Sequence, residues 1–299
     1  MPATRPQTHP KLDGKTFLIC IGAAKCATSW LYHYLCAIPE AATSPLKELH
    51  FFNARFPQHA LGDVEAVALS RLAFHLEQPG DPAQNLRQRA TFQASVDRVQ
   101  MIYDDAAYFD HFARLADART RCCADLTPAY STIGPEGFAW MKGFCAGHGI
   151  RPRVLFLMRD PVTRFWSQLR HLQQMNPDND IAATWAQAMQ APALTARADY
   201  RAIVTALDAC FPAEDLLYLF YEDLFSDAAL RRLCAVAGLP FHANVPREAR
   251  NETTVKLPLP DDARAALADF LAPQYAFCRA RFGDAIPAGW QGRGAVTPK

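Results

Sequence analysis

The stretch of sequence that decides the fold is TFLICIGAAKCATSWLYHYL, residues 16–35. Its first six residues are apolar or β-branched, which is typical of a strand buried on both faces. Gly22 ends this run. After Thr28, apolar residues recur at helical spacing from Leu31 to Ile38. The pattern therefore predicts a strand, a turn, and a helix that begins near Thr28.

The same switch from strand to helix occurs twice more along the chain. The apolar run at residues 154–158 is followed by Asp160, which can cap a helix, and by Pro161, which can occupy its first turn. The apolar run at residues 216–221 is followed by Ser226 or Asp227 as a candidate N-cap and by an amphipathic segment that stops at Gly238. Both segments predict a strand followed directly by a helix.

Apolar strands that alternate with helices imply an α/β fold in three layers, with a central parallel sheet covered on both faces. We expect further short strands at residues 121–125 and near Ala41. The turn at residues 22–28 corresponds in position to a P-loop. Ligands of such sheets bind at the carboxyl ends of the strands, so we expect the functional site there.

The length of 299 residues suits one large unit with insertions. We predict a single domain over residues 15–287, between flexible tails at residues 1–14 and 288–299. The segments at residues 54–112 and 171–211 combine helical patterns with many turn signals. We expect them to be helical insertions around the mouth of the site.

Composition excludes several classes of protein. The chain has 31 Lys and Arg against 30 Asp and Glu, so it has no overall positive field with which to bind nucleic acid. Its longest apolar run, residues 17–24, is far shorter than the roughly 20 residues that cross a bilayer, and we recognise no secretory signal. Nine cysteines without a CxxC pair predict reduced thiols in a cytoplasmic protein.

Residues 22–30 combine several features that attract a phosphate group. Backbone N–H groups at the start of a helix attract anions, and Lys25, Thr28 and Ser29 add a cation and two hydroxyls. The segment is not a Walker A loop, because the lysine precedes the threonine by three positions. The alternative is an ordinary helix start at which these side chains act only as caps.

A second candidate anion site lies at the end of the strand at residues 154–158. Arg159 follows that strand directly, and Ser167 lies two turns into the next helix. One guanidinium and one hydroxyl could therefore converge on a second anion. The alternative for Arg159 is a salt bridge with Asp160 or another acid.

Together these segments resemble the sulfotransferases that use 3′-phosphoadenosine 5′-phosphosulfate, in particular the bacterial and glycan-modifying branch, with some features of the cytosolic branch. The resemblance implies that the first loop binds the 5′-phosphosulfate and that Arg159 and Ser167 bind the 3′-phosphate. It also places Trp30 and Tyr221 near the adenine, although Trp30 could equally be a core residue. Ala27 stands where the family usually has glycine. The cofactor-binding residues implied are Lys25, Cys26, Ala27, Thr28, Ser29, Trp30, Arg159, Ser167 and Tyr221.

The segment KELHFF, residues 47–52, resembles a family segment in which the glutamate is the proposed base. We therefore predict Glu48 as the base that deprotonates the acceptor and Lys25 as the group that stabilises the leaving phosphate oxygen. His50 is the reserve candidate, and Asp125 could orient Lys25 or the acceptor. The alternative roles are a surface ion pair for Glu48, structural packing for His50, and a buried structural acid for Asp125.

The resemblance leaves the acceptor open: it could be a hydroxyl or amine on a small molecule, a lipid or a glycan. No metal is expected, since the sequence contains no convincing zinc spacing. Arg247, Arg250 and Lys256 lie in a loop where the family often contacts the 3′-phosphate, and the match does not choose among them. Two other functions stay open: a P-loop kinase using Mg-ATP, with Asp160 as its metal-binding acid, and a nucleotide-binding protein without catalysis. The oligomeric state is not indicated.

Overall fold

Strand β1, Thr16–Gly22, is buried from its second residue to its last and forms the middle of a five-stranded parallel sheet. The computed structural model describes residues 9–243 and 254–291. The other strands are β2 (Ala41–Thr43), β3 (Cys122–Leu126), β4 (Pro152–Met158) and β5 (Leu216–Phe220). Their order across the sheet is β2-β3-β1-β4-β5. The predicted α/β fold with a parallel sheet is therefore confirmed.

The order of the strands places the functional site. From β1 the chain crosses to β2 and β3 on one side, and then to β4 and β5 on the other. The direction of winding therefore reverses between β1 and β4, which pair directly, with Cys20 opposite Leu155. A crevice forms at such a switch point, outside the carboxyl ends of the two strands. The turn after β1 and Arg159 after β4 border that crevice.

Helices cover both faces of the sheet and also fill both long segments between strands, residues 54–112 and 171–211. The α-helices are α1 (Thr28–Cys36), α2 (Phe51–Arg55), α3 (Val64–Leu76), α4 (Pro82–Gln88), α5 (Ala90–Gln100), α6 (Ala107–Leu115), α7 (Gly134–Gly147), α8 (Pro161–Met175), α9 (Ile181–Ala188), α10 (Pro192–Ala196), α11 (Tyr200–Cys210), α12 (Asp227–Val236), α13 (Asp261–Phe282) and α14 (Ala288–Gln291). Short 3-10 helices occur at Pro10–Leu12, Pro128–Thr132, Ala213–Asp215 and Gly283–Ala285.

Two predicted helix starts are formed by side-chain caps. Asp160 caps α8, because its Oδ1 accepts a hydrogen bond of 2.9 Å from the backbone N–H of Thr163. Ser226, rather than its neighbour Asp227, caps α12 by accepting from the N–H of Ala229 at 3.2 Å. Each cap satisfies an N–H group that the helix itself leaves without a partner.

Both predicted tails pack on the core in the parts that the structure describes. Leu12 is 5% exposed and Trp290 is 1% exposed. The indole Nε1–H of Trp290 donates to Glu222 Oε1 at 3.0 Å. These side chains therefore belong to the core, which no periodic signal in the sequence indicated, while the flexibility of the tails stays a prediction. The remainder of both predicted tails lies outside the described residues.

The cysteines are all free thiols, and seven of the nine are buried. Burial raises the pKa of Cys20 and of Cys26 to about 12, so both are protonated and pack as small apolar side chains. Across residues 9–243 and 254–291, the helices are all too short or too polar to pass through a bilayer.

Candidate active site

A cleft of about 990 Å³ opens at the switch point between β1 and β4. This volume lies at the upper end of the range of ligand pockets. Lys25, Arg159 and Glu48, which come from three separate segments of the sequence, all line it. The structure therefore brings the two predicted anion-binding groups and the predicted base to one place.

The turn between β1 and α1 presents backbone N–H groups to this cleft. Lys25 and Ala27 both adopt left-handed backbone conformations, with φ of 71° and 60°. Ala27 occupies the N-cap position of α1, and its methyl group cannot accept a hydrogen bond. The first N–H groups of α1 and the positive end of its dipole are therefore available to an anion. Ala27 adopts the conformation that glycine favours, at a cost of about 1–2 kcal/mol.

Arg159 is held in place by three contacts. Its Nη1 donates to the carbonyl oxygen of Lys25 at 3.2 Å. Its guanidinium lies 4.5 Å from the centre of the Tyr221 ring, within cation–π range. The hydroxyl of Tyr200 donates to the Arg159 carbonyl at 2.9 Å and accepts from its N–H at 3.2 Å. Tyr221 therefore positions Arg159, a role in addition to the predicted one beside adenine.

The aromatic end of the cleft contains one residue that sequence analysis missed. Trp30 is 3% exposed yet lines the cleft, and it meets Phe225 edge to face with ring centres 4.8 Å apart. Phe225 also lines the cleft. The sequence could have indicated Phe225, because it lies only four residues after Tyr221. Ser167, on α8, lines the cleft as predicted and is largely buried.

The cleft is strongly basic although the whole chain is nearly neutral. Among the described residues that line it, one is acidic, Glu48, and six are Lys or Arg. Burial, followed by the charges of Arg170 and Arg159, lowers the pKa of Lys25 to about 8. A bound polyanion would restore the proton affinity of Lys25 by compensating these charges. The basic residues are Lys25, Lys47, Arg159, Arg170, Arg197 and Lys256.

Glu48 lies in the loop after β2, where Glu48 and His50 adopt left-handed conformations with φ of 67° and 56°. The carboxylate forms an ion pair with Lys47, and its side chain is 38% exposed. Burial alone would raise the pKa of Glu48, but the charge of Lys47 and its hydrogen bond to the carboxylate follow in size, and the pKa is lowered overall. Glu48 is therefore ionised near neutral pH, as a general base must be.

His50 is oriented by Asn53. The Asn53 amide Nδ2 donates to the carbonyl of Ala129 at 3.0 Å, which turns its Oδ1 toward His50 Nδ1 at 3.2 Å. This arrangement assigns the ring proton to Nδ1, and leaves Nε2 at 3.6 Å from Glu48 Oε2. Burial lowers the pKa of His50 more than Glu48 raises it, so the ring is neutral at pH 7. His50 therefore lies beside the predicted base and can assist it.

Asp125 does not reach the cleft. It is 1% exposed, and its carboxylate accepts hydrogen bonds from Tyr108 Oη at 2.9 Å, Tyr130 Oη at 2.8 Å and Thr127 Oγ1 at 2.7 Å. The Tyr130 hydroxyl in turn accepts from the N–H of Phe51 at 3.0 Å. Asp125 therefore supports the segment that carries Glu48. Its position agrees with the alternative of a buried structural acid and not with a residue that contacts the acceptor.

Cys26 is likewise a structural residue of the turn. Its side chain is fully buried, and its N–H donates to the carbonyl of Ala23 at 3.3 Å. Cys26 is not among the residues that line the cleft, and its contact with the cofactor stays a prediction. Its neighbours Lys25 and Ala27 do line the cleft.

Asp160 is engaged in the fold rather than directed at the cleft. Besides capping α8, it accepts a hydrogen bond of 2.7 Å at Oδ2 from the hydroxyl of Tyr275. A metal-binding acid of a kinase would need a free oxygen facing the phosphates. Within the described ranges, no group of three or more His, Cys, Asp or Glu residues could hold a metal ion. The arrangement of Asp160 therefore gives the kinase alternative no support.

Arg164 is a buried cation that sequence analysis missed. It is 0% exposed, and all three guanidinium nitrogens are buried without a hydrogen-bond partner among the described residues. Its charge, with that of Arg159, opposes the effect of burial on the pKa of Cys26, which places it behind the phosphate-binding turn. A buried cation without hydrogen bonds is unfavourable on its own, so Arg164 adds positive charge at a place where a bound anion would be stabilised.

Three further basic residues extend the cleft beyond the predicted set. Arg170 and His171 line it one turn along α8 from Ser167, a spacing that the sequence could have indicated. Arg197, at the end of α10, donates to the carbonyls of His59 and Ala193, both at 2.6 Å, and no local pattern marks it. Of the loop residues considered above, Lys256 lines the cleft, while the two arginines at 247 and 250 lie outside the described residues.

Comparison with known proteins gives one family model and several solved structures of similar fold. Residues 18–243 match the family model described as "Sulfotransferase family". The fold is similar to that of a sulfotransferase from Alicyclobacillus acidocaldarius, with a TM-score of 0.59, 23% identity, and coverage of 93% of this chain and 98% of that one. The sulfotransferase domain of the curacin biosynthetic pathway has a TM-score of 0.49, with 17% identity over 86% and 97% of the two chains. The corresponding values for the sulfotransferase domain of the Synechococcus PCC 7002 olefin synthase are 0.46, 15%, 91% and 89%. No curated protein matches this chain.

Proposed function

The chain belongs to the sulfotransferase family, and from this premise we propose that its sulfuryl donor is 3′-phosphoadenosine 5′-phosphosulfate. One observation carries the proposal: Lys25 and Arg159 line the same cleft, and the Arg159 guanidinium bonds to the carbonyl of Lys25 at 3.2 Å. Two cationic groups at neighbouring strand ends suit a nucleotide with negative charge at both its 5′ and its 3′ position.

The donor side of the cleft offers a group for each part of such a nucleotide. Lys25, Thr28 and Ser29, with the first N–H groups of α1, suit the 5′-phosphosulfate. Arg159 and Ser167 suit the 3′-phosphate. Three aromatic residues line the cleft and suit the adenine: Trp30, Tyr221 and Phe225.

The acceptor side supplies the proton acceptor. In the proposed reaction, the acceptor oxygen or nitrogen attacks sulfur in line, the bond from sulfur to the 5′-phosphate oxygen breaks, and the acceptor proton passes to the carboxylate of Glu48. Lys25 stabilises the charge that develops on the leaving oxygen. The products are the sulfated acceptor and adenosine 3′,5′-bisphosphate.

We also propose a cytoplasmic location and an acceptor that is a small molecule, a lipid or a glycan. The location is supported by nine cysteines that are all free thiols, which is usual in a reducing compartment. The acceptor class is supported by the family and by the size of the cleft, about 990 Å³.

Ligand-induced thermal stabilisation tests the proposed donor without knowledge of the acceptor. Adenosine 3′,5′-bisphosphate should raise the melting temperature far more than AMP does, because only the bisphosphate carries the group that Arg159 is proposed to bind. Arg159→Met should abolish the difference between the two nucleotides. Equal responses of the wild type to both nucleotides would disprove the assignment.

A matched control separates the site from general charge. Arg119 is 75% exposed and pairs with Asp117 at the surface, so Arg119→Met should leave the preference for the bisphosphate unchanged. Lys25→Ala should remove transfer of sulfate from the labelled donor, which distinguishes an enzyme from a protein that only binds the nucleotide. A larger stabilisation by Mg-ATP than by the bisphosphate would favour a kinase instead.

A further inference from the structure

An apolar surface borders the acceptor side of the cleft. We call it the α3 wall and define it as Leu61, Val64 and Val67, from the loop before α3 and its first turn. Leu61 is 49% exposed and Val67 is 51% exposed, although both belong to the lining of the cleft. Large apolar side chains left half open beside a catalytic group indicate a surface that an apolar ligand covers.

The α3 wall is held firmly enough to form a binding surface. The Asp63 carboxylate caps α3 by accepting hydrogen bonds from the N–H groups of Glu65 and Ala66, at 2.9 and 3.0 Å. The buried side chain of Arg98, from α5, donates to the carbonyl of Val64 at 3.3 Å. The first turn of α3 is therefore fixed on both sides, and the wall does not need a ligand in order to form.

The apolar surface continues outward from the cleft along α3. Residues seven apart lie on the same face of a helix, so Phe74 follows Val67 on one stripe. Phe74 is 52% exposed. Ser70 and Arg71 separate the two apolar residues on this face, so a ligand longer than the cleft could reach Phe74 as a second apolar contact.

The chemistry of the wall is unlike that of the opposite side. Between residues 60 and 67, the residues that line the cleft have either an apolar side chain or, at Gly62, none. The two charged residues of this stretch, Asp63 and Glu65, do not line it. A sugar would present hydroxyls to this surface and would find no side-chain partner along it. An alkyl chain or an aromatic ring system would instead gain about 0.8 kcal/mol for each methylene that it buries.

We propose that the sulfate acceptor carries its nucleophilic hydroxyl on an apolar body, with the hydroxyl at Glu48 and the body against the α3 wall. This inference rests on the proposed function and deepens it, because it names the class of acceptor that the same site takes. It selects a hydroxylated lipid or a hydrophobic alcohol or phenol over a glycan.

A homologous series of primary alcohols tests the proposal. With saturating donor, kcat/KM for sulfation should rise from 1-butanol through 1-hexanol and 1-octanol to 1-decanol, by roughly two- to fourfold per methylene. Glucose should be a poorer acceptor than 1-octanol. The same alcohols should raise the melting temperature of the protein saturated with adenosine 3′,5′-bisphosphate, in the same order.

Variants of the wall supply the decisive comparison. The double variant Leu61→Ser, Val67→Ser should flatten the dependence on chain length while keeping the response to adenosine 3′,5′-bisphosphate. Val96→Ser, on α5, is the matched control, because Val96 is a 37% exposed valine that does not line the cleft. That control should retain the full dependence on chain length.

The outcomes distinguish this inference from the proposed function. If the bisphosphate fails to stabilise the wild type, the proposed donor is wrong. If the bisphosphate stabilises it but the alcohols show no dependence on chain length in turnover or in stabilisation, the apolar acceptor is wrong. A concentration-dependent dimer that the double serine variant dissociates, with no effect of chain length, would assign the wall to a second copy of the chain and overturn the inference.

Discussion

The donor side and the acceptor side of the cleft are built in different ways. The donor side consists of turns at the ends of β1 and β4, and its arginine is held by a backbone carbonyl and by the Tyr221 ring. The acceptor side consists of a loop that carries Glu48 and of the inserted helix α3, whose apolar residues are half exposed. The turns of the donor side are positioned by the strands of the sheet, whereas helix α3 of the acceptor side lies in an insertion between two strands.

The two sides nevertheless share one feature of the backbone. Within the described ranges, the residues other than glycine with left-handed φ are Lys25 and Ala27 on the donor side and Glu48 and His50 on the acceptor side. Such conformations cost about 1–3 kcal/mol each and persist where the surrounding structure imposes them. Their concentration in the cleft indicates that backbone strain is used on both sides to direct side chains at the reaction.

The largest expected effect separates the chemistry of the acceptor side from binding on the donor side. Glu48→Gln should lower kcat by roughly 10²- to 10⁴-fold, because the amide cannot accept the acceptor proton. The Kd for adenosine 3′,5′-bisphosphate, measured by calorimetry, should stay within about threefold of the wild type. Glu65→Gln, at an exposed glutamate of α3, is the control and should retain full activity. A fully active Glu48→Gln enzyme would transfer the role of base to His50.

The next effect concerns the buried charge behind the donor side, and it has opposite signs for stability and for binding. Arg164→Met should raise the free energy of unfolding of the unliganded protein, on the order of 1 kcal/mol, because it removes a buried cation that has no hydrogen-bond partner among the described residues. It should also weaken binding of adenosine 3′,5′-bisphosphate about tenfold, since the phosphates lose a nearby positive charge. Denaturant unfolding and calorimetry measure the two quantities. A purely structural role would lower stability instead.

The pH dependence of nucleotide binding tests Lys25 on the donor side. The pKa of Lys25 is lowered to about 8 in the free protein, and a bound anion raises it again, so affinity should fall above pH 8 by up to about tenfold per unit. In the unliganded protein the same shift makes unfolding less favourable as the pH rises from about 8 to 10.5, because the unfolded chain then holds the proton that the folded chain has lost. Lys25→Arg should remove the fall in affinity above pH 8, and persistence of that fall would assign it to another group.

The smallest expected effect concerns backbone strain in the donor turn. Ala27→Gly should stabilise the protein by about 0.5–1 kcal/mol, because glycine adopts a φ of 60° without strain, although it adds freedom to the unfolded chain. Ala73→Gly is the control: Ala73 is exposed within helix α3, so glycine there should destabilise by a similar amount. Chemical denaturation measures both. A loss of stability in Ala27→Gly would show that the turn is not strained at this residue.

The donor side was the part of the site that could be predicted from sequence. Lys25, Thr28 and Arg159 each follow an apolar run that ends in a turn, and a strand followed by a helix is a local pattern. The resemblance to the sulfotransferases then assigned them to phosphate groups, and the structure places all of them along one cleft. Local patterns also located the caps at Asp160 and Ser226.

Sequence patterns did not show which of the two acidic residues, Asp125 or Glu48, lines the cleft. Asp125 lies near the end of β3 and Glu48 lies in the loop after β2, yet one is buried among hydroxyl donors and the other lines the cleft. Burial depends on which helices pack above each strand, and this is decided by residues far away in the chain. For the same reason Trp290, which the sequence suggested was loose, is part of the core.

By itself the sequence determined the strands, the turns at their ends and the chemical character of the donor site, because hydrogen bonding and side-chain periodicity act between neighbours. Only the tertiary structure decided that β1 and β4 lie side by side, that Arg164 is buried with no hydrogen-bond partner in the part of the chain that is described, and that α3 lines the acceptor side. These features depend on the order of strands in the sheet and on the packing of inserted helices. Both arise from contacts between residues that are distant in sequence, which no local pattern records.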